Sequence, residues 1–184
     1  MLAPELRRAL LAVARQSVTA RVRAQQPPPV SVSRGLAARG AFVTLRLEGA
    51  LRGCVGHLDT DCSLAETIQR VAMAAATEDP RFPPVQPEDL ADVVIEVSVL
   101  GPLEPCPDPS YLEVGRHGVV VEDGARFGLL LPQVAVEWGW DAPALLSQAC
   151  VKAGLAPNAW QSDARVFRFE AEVFEEDGLS PAVP

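Results

Sequence analysis

Two hairpin patterns lying between helical segments constrain the fold of this 184-residue chain more than any other feature. The first joins a strand at 41–47 to a second arm at 51–58 through the turn Glu48-Gly49-Ala50. The second spans 117–131 and turns at Asp123-Gly124. Antiparallel hairpins mixed with helices predict an α+β fold with an antiparallel or mixed sheet, and disfavour a doubly wound parallel sheet.

Helical spacing of apolar residues predicts helices over 4–24, 63–77 and 142–154. Ser63 and Glu66 form a capping box, and Asp141 is placed to cap the last helix. The apolar stretch 92–100 predicts a central strand. The segment 166–174 alternates, which predicts a strand with one wet face. Its inward side chains are expected to be Phe167, Phe169, Ala171 and Val173. We expect one domain over 1–184, with a core at about 4–176 and a frayed tail at 177–184.

Charge and cysteine usage limit the functional classes. The formal net charge of −8 makes nucleic-acid binding unlikely, although five arginines are concentrated in the first 23 residues. No apolar run reaches the ~18 residues of a membrane-spanning helix, and arginines interrupt any secretory pattern. The four scattered cysteines predict reduced thiols and a cytoplasmic protein.

The segment Leu51-Arg52-Gly53-Cys54-Val55-Gly56 is the sharpest candidate for chemistry. In a strand, Arg52 and Cys54 share one face, while Leu51 and Val55 point into a core. The glycines Gly53 and Gly56 indicate a bulge or a close backbone approach. A thiol beside a guanidinium ionises more readily and becomes a nucleophile or a soft ligand. The alternative is a small buried cysteine that merely packs.

Two further titratable residues are candidates for proton transfer. Glu96 interrupts an apolar strand, so it needs a partner such as Arg52 or Arg81, or it faces water at an edge. His117 opens the second hairpin and could serve a thiol as base, or it could be a hydrogen-bonded structural residue. Cys54 and His57, together with Cys62 and His117, match no standard zinc spacing, so no metal site is predicted. No phosphate-loop or dinucleotide fingerprint identifies a cofactor.

Two loop regions are candidates for binding. In Asp79-Pro80-Arg81-Phe82-Pro83-Pro84, Arg81 could bind an anion from a rigid pocket wall. Alternatively, Asp79 pairs with Arg81 while Phe82 fills the core. Gln133 precedes a group of tryptophans, which could stack a flat ligand but more often complete a core.

Five segments together resemble the AMMECR domain family. They are LRGCVG (51–56), DPRFPP (79–84), EVSVL (96–100), LLPQV (130–134) and CVKAGL (150–155). The resemblance extends from about 41 to 176. It implies a cytoplasmic α+β domain with a smaller second subdomain and a groove lined by the LRGC segment. It also implies Memo-type and radical SAM partner proteins, as in the AmmeMemoRadiSam grouping, and it implies no established reaction.

Three functions therefore stay open. The first is a thiol-dependent enzyme or enzyme component in which Cys54 reacts, Arg52 orients it, and Glu96 or His117 moves protons. The accessory binding residues would be Gly53, Gly56, Asp79, Arg81, Phe82 and Gln133. The second is a non-catalytic scaffolding module, and the third, least favoured, is nucleic-acid binding.

Overall fold

The computed structural model describes residues 2–30, 40–58 and 62–176. The helices are α1 (Pro4–Val22), α2 (Leu64–Thr77), α3 (Pro132–Trp138) and α4 (Ala142–Lys152). The strands are β1 (Gly40–Leu47), β2 (Ala50–His57), β3 (Val93–Leu100), β4 (Glu104–Pro105), β5 (His117–Asp123), β6 (Arg126–Leu130) and β7 (Arg165–Glu175). This is the α+β fold that the hairpin patterns predict. None of the described helices is both long and apolar enough to cross a membrane.

The chain divides into two compact units, at 1–99 with 172–184 and at 100–171. In the first unit, β1 lies between the edge strand β2 and β3, and β3 neighbours the last part of β7. Helices α1 and α2 pack on one face of these strands. The core contains Leu10, Ile68, Val43, Ile95 and Phe174, all buried. Alternate residues of β1 and β3 enter it, as the period of a half-covered sheet requires.

The second unit is smaller and is built on the β5–β6 hairpin. Strand β5 pairs antiparallel with β6 on one side and with the first part of β7 on the other. Helix α4 covers the hairpin and contributes Leu145, Leu146 and Cys150 to a core with Val119 and Val121. The short strand β4 pairs antiparallel with β7.

Local capping signals are confirmed. The Ser63 hydroxyl accepts from the Glu66 amide, and the Glu66 carboxylate accepts from the Ser63 amide. Asp141 accepts from the Ala144 amide at 2.8 Å and begins α4. Both caps depend on residues three apart, so tertiary structure cannot displace them easily.

The predicted inward face of β7 is wrong at Val173, which is 42% exposed, while Phe174 is buried. Phe169 is buried as expected. The reason is that β7 passes through both units, so its buried side changes along its length. The predicted tail at 177–184 lies outside the described residues.

Candidate functional site

The first hairpin contains a β-bulge at the predicted reactive segment. Arg46 of β1 lies opposite Leu51, but the residue before it, Leu45, lies opposite Gly53. Arg52 is therefore the extra residue of the bulge. Leu51 was expected in the core, yet it is 37% exposed, because the bulge changes the orientation of the strand beyond Gly53.

Both glycines of the segment lie where no side chain fits. A Cβ on Gly53 would stand 2.2 Å from the carbonyl oxygen of Ala75 in α2. A Cβ on Gly56 would stand 2.1 Å from the ring of Phe42. The close backbone approach expected from the sequence is present at Gly53, and it brings the end of α2 directly against β2.

The Cys54 thiol lies on the sheet face opposite the helices. Thr44 is its cross-strand partner, and the Thr44 hydroxyl donates to Sγ at 3.4 Å. Thr44 is buried, whereas Cys54 is half-buried. Cys54 is thus neither sealed in apolar packing nor fully open to solvent.

The main chain of Cys54 is held by two side chains instead of by another strand. Strand β2 is at the edge of the sheet, so its outward amide and carbonyl groups need other partners. The Asp79 carboxylate accepts from the Cys54 amide at 2.9 Å, and Arg81 Nη2 donates to the Cys54 carbonyl at 3.2 Å. Asp79 and Arg81, which we call the edge clasp, therefore satisfy the same groups that a neighbouring strand would.

The two members of the edge clasp form a bidentate ion pair. Arg81 Nε donates to Oδ1 of Asp79 at 3.0 Å, and Nη2 donates to Oδ2 at 2.7 Å. The Arg81 guanidinium lowers the pKa of Asp79 from 3.8 to about 2, opposed by burial of the carboxyl. The carboxylate in turn raises the pKa of Arg81, and the Cys54 thiol adds to that rise. Arg81, and not Arg52, is therefore the arginine in contact with Cys54.

Arg52, the cation expected beside the thiol, binds the loop at 83–89. Its guanidinium donates to the carbonyl oxygens of Pro83 and Pro84, the latter at 2.9 Å, and lies 3.6 Å from the Asp89 carboxylate. Arg52 therefore fixes the proline loop against β2.

The loop at 79–85 combines both interpretations made from its sequence. Asp79 and Arg81 pair as the structural alternative supposes, and Arg81 also reaches Cys54. Phe82 does not enter the core. It is half-buried, with the Arg81 guanidinium 5.3 Å from its ring centroid. The core position is taken by Val85, which is 3% exposed.

Glu96 lies on β3, on the face that carries Thr44 and Cys54. The alternate β3 residues Val97 and Ile95 enter the helix-covered core, so Glu96 points the other way, and it is half-buried. One face of the sheet in the first unit therefore carries a thiol, a hydroxyl and a carboxyl.

His117 belongs to the second unit, where it is 7% exposed. Its Nδ1 accepts from the Glu113 amide at 2.9 Å, which leaves the ring proton of the neutral form on Nε2. Burial lowers the pKa of His117, and the positive charges of Arg168 and Arg116 lower it further. The imidazole is therefore neutral near pH 7.

Gln133 and the tryptophans also belong to the second unit. Gln133 follows the first residue of α3, and its buried Oε1 has no partner among the residues that the structure describes. Trp140 and Trp160 pack against the core, and Trp160 Nε1 donates to Ser147 at 3.3 Å. Trp138 is 69% exposed and stacks on Trp140.

Within 2–30, 40–58 and 62–176, no three side chains of His, Cys, Asp or Glu are grouped as metal ligands. Sequence reasoning missed Thr44 and Arg46, which lie on the Cys54 face of β1. Counting back from the turn would place Thr44 opposite Gly53, and only the bulge moves it opposite Cys54. No sequence signal reveals that bulge apart from Gly53 itself.

Comparisons with known proteins agree on one family. The model of the family described as AMMECR1 matches residues 11–174. Protein TK0174 of Thermococcus kodakarensis is 44% identical over 182 residues, which cover 91% of this chain and 89% of that protein. A protein of Methanothermobacter thermautotrophicus is 50% identical over 147 residues, covering 76% and 77%. The crystal structure of the uncharacterised protein PH0010 from Pyrococcus horikoshii has a TM-score of 0.83 at 40% identity, covering 92% of this chain and 90% of that chain.

Proposed function

This chain belongs to the AMMECR1 family, and we propose that it is a thiol-dependent enzyme or enzyme component whose reacting group is Cys54. The observation that supports the proposal is that hydrogen bonds fix both the main chain and the sulfur of Cys54. The edge clasp binds both main-chain polar groups of Cys54, and the Thr44 hydroxyl donates to its sulfur. A reactive group fixed on both sides loses little freedom when it meets a substrate.

The proposed chemistry is nucleophilic attack by sulfur. The Sγ–H bond breaks, its proton passes to a base, and the electron pair left on sulfur forms a bond to an electrophilic carbon. The leaving group departs with its own bonding pair. Glu96, on the same sheet face, is the proposed proton acceptor. Arg52 acts as a positioning residue, because it holds the proline loop that carries the edge clasp.

His117, the other residue predicted to move protons, belongs to the second unit. Its Nδ1 accepts from the Glu113 amide, a bond that suits a structural histidine. We therefore give His117 no role in the proposed chemistry at Cys54.

Thiol labelling tests the proposal. In a Cys62→Ser background, Cys54 is the one cysteine not classed as buried, since Cys106 and Cys150 are buried. We expect native protein to take up iodoacetamide at Cys54, faster as the pH rises, and the Cys54→Ser variant to take up none. Labelling of Cys54 only after denaturation would contradict the proposal.

We further propose that the protein works in the cytoplasm with a Memo-type and a radical SAM partner. The resemblance of its five segments to the AMMECR domain family supports this, and so do its four free cysteines. Co-purification from cells that express tagged versions of all three proteins tests it. Failure to recover either partner under native conditions would contradict it.

A non-catalytic binding module is the second candidate, favoured by one observation in the second unit. Val136 and Trp138 of α3 are 62% and 69% exposed, which is unusual for large apolar side chains on a short helix. If Cys54→Ser keeps every cellular function while Trp138→Ser loses partner recovery, this candidate replaces the enzyme. Nucleic-acid binding stays least favoured, since Arg7, Arg15 and Arg21 of α1 are engaged by glutamates.

A further inference from the structure

Arg46, on the strand that pairs with the Cys54 strand, differs from most of the described arginines. Most of the described arginines form ion pairs with acidic side chains, as expected for a chain of net charge −8. Arg46 is half-buried and has no ion-pair or hydrogen-bond partner among the residues that the structure describes. A half-buried guanidinium without a counter-charge loses hydration and gains nothing in return.

Arg46 lies on the sheet face that carries the thiol. It follows Thr44 by two residues on β1, and Thr44 is the cross-strand partner of Cys54. Arg46 itself pairs with Leu51, and the Arg52 bulge lies between that pair and the Thr44–Cys54 pair. Arg46 and Cys54 therefore occupy successive positions on one sheet face, and the long Arg46 side chain is suited to reach a group bound at the sulfur.

Arg81 supplies a second cation on the other side of Cys54. Its Nε and Nη2 donate to Asp79, and Nη2 also donates to the Cys54 carbonyl, while the guanidinium interacts with the Cys54 thiol as well. The Arg81 side chain is 57% exposed, whereas that of Asp79 is 4% exposed. An anion arriving from solvent therefore meets the positive end of the edge clasp first.

We propose that Arg46 and the solvent side of Arg81 form an oxyanion site beside Cys54, and that the thiol takes a small substrate bearing a carboxylate or a phosphate. Guanidinium groups match both oxyanions because their N–H donors form a planar fork. This inference rests on the proposed thiol chemistry and adds the substrate class to it.

A pair of alkylating reagents tests the charge preference. Iodoacetate and iodoacetamide react alike with a thiolate: an S–C bond forms, the C–I bond breaks, and iodide leaves with the bonding pair. Only iodoacetate carries a carboxylate. The measurement is the ratio of the two rates at Cys54 in the Cys62→Ser background, by peptide mass spectrometry, in native protein and in the same protein unfolded in urea.

We expect the native ratio to exceed the unfolded ratio, against the direction set by the net charge. Arg46→Gln should lower the iodoacetate-to-iodoacetamide ratio of the native protein by about three- to tenfold, which is the effect of removing one nearby charge from a partly solvated site. Arg46→Lys should keep most of the preference, because it keeps the charge. Arg8→Gln removes an equal charge from an exposed pair on α1 and should change nothing. Added salt should lower the ratio in native protein.

Protection experiments with the anions alone distinguish the two oxyanions. Slower labelling in the presence of acetate indicates a carboxylate substrate, and slower labelling by inorganic phosphate indicates a phosphate. Protection by neither anion, or a native ratio no higher than the unfolded one, overturns the oxyanion site while leaving the reactive thiol intact. A Cys54 that reacts with neither reagent overturns the thiol chemistry itself.

Discussion

Replacing Asp79 by Asn is the sharpest test of the edge clasp. The carboxylate accepts from the Cys54 amide, the Arg81 amide and two guanidinium nitrogens, and its side chain is 4% exposed. An asparagine offers one neutral acceptor and an NH2 group that would face donors. We therefore expect the variant to fold less stably.

The pKa of Asp79 gives the size of the effect. Lowering it from 3.8 to about 2 corresponds to about 2 kcal/mol of unfolding free energy, at about 1.4 kcal/mol per pKa unit. In a chain of this length that loss lowers the Tm by about 4–8 °C. Because the carboxylate is buried, solvent screening reduces this contribution to the unfolding free energy only slightly.

The same pKa sets the pH window. Because the folded pKa lies below the unfolded one, the unfolded chain binds the proton first as the pH falls. The contribution is therefore complete above about pH 4–5 and declines as the pH drops from 3.8 towards 2.

The assay is urea unfolding of the wild-type protein and Asp79→Asn at pH 7 and at pH 2.5. The stability difference should be about 2 kcal/mol at pH 7 and much smaller at pH 2.5. Asp123→Asn is the matched control, since Asp123 pairs with Arg126 at an exposed position and contributes about 0–1 kcal/mol. A loss below about 0.5 kcal/mol at pH 7, or one that does not change with pH, refutes the reasoning.

Two further variants test packing and protonation. Gly53→Ala places a Cβ 2.2 Å from the Ala75 carbonyl oxygen and should lower the free energy of unfolding by about 3 kcal/mol or prevent folding. Gly49→Asn is the control, because Gly49 has open space around it and a φ of +79°, and it should cost less than about 1 kcal/mol. Thermal melting measures both losses, and equal losses would refute the close approach at Gly53. The pKa of His117 in the folded protein lies below its ordinary 6.5, so the unfolded chain takes up the proton first as the pH falls. In urea titrations between pH 7 and pH 5, the stability of the wild-type protein should therefore fall more steeply than that of His117→Gln. Parallel profiles would show that burial does not hold the imidazole neutral.

Local signals predicted the fold well where partners are close in sequence. The Ser63 capping box and the Asp141 cap each join residues three apart. The β1–β2 turn follows from Glu48-Gly49, both with positive φ, as a two-residue hairpin turn requires. Helix α3 was missed because it has only seven residues, although Pro132 at its first position and Gly139 in the left-handed region mark its two ends.

Predictions failed where the outcome depends on distant parts of the chain. The inward orientation of Leu51 assumed regular pairing, and a one-residue bulge changes which residues share a face. The expected pairing of Arg52 with the thiol failed for a related reason. Its guanidinium is bound by carbonyls more than 30 residues away, and no local pattern specifies that contact. Arg81, 27 residues from Cys54, reaches it through the loop instead.

The Asp79→Asn variant also separates holding a strand edge from positioning a reactive group. If the edge clasp only replaces a missing strand, loss of the carboxylate should lower stability and leave the rate of Cys54 labelling, measured well below the melting temperature, unchanged. If it positions the thiol, Arg81 loses its ion-pair partner and its hold on the Cys54 carbonyl, so labelling should change under conditions where the variant is fully folded. Arg52→Gln supplies the comparison, because it frees the proline loop without touching the Cys54 main chain. Altered labelling in Asp79→Asn with normal labelling in Arg52→Gln would assign the effect to the clasp itself, while equal changes in both would assign it to the loop as a whole.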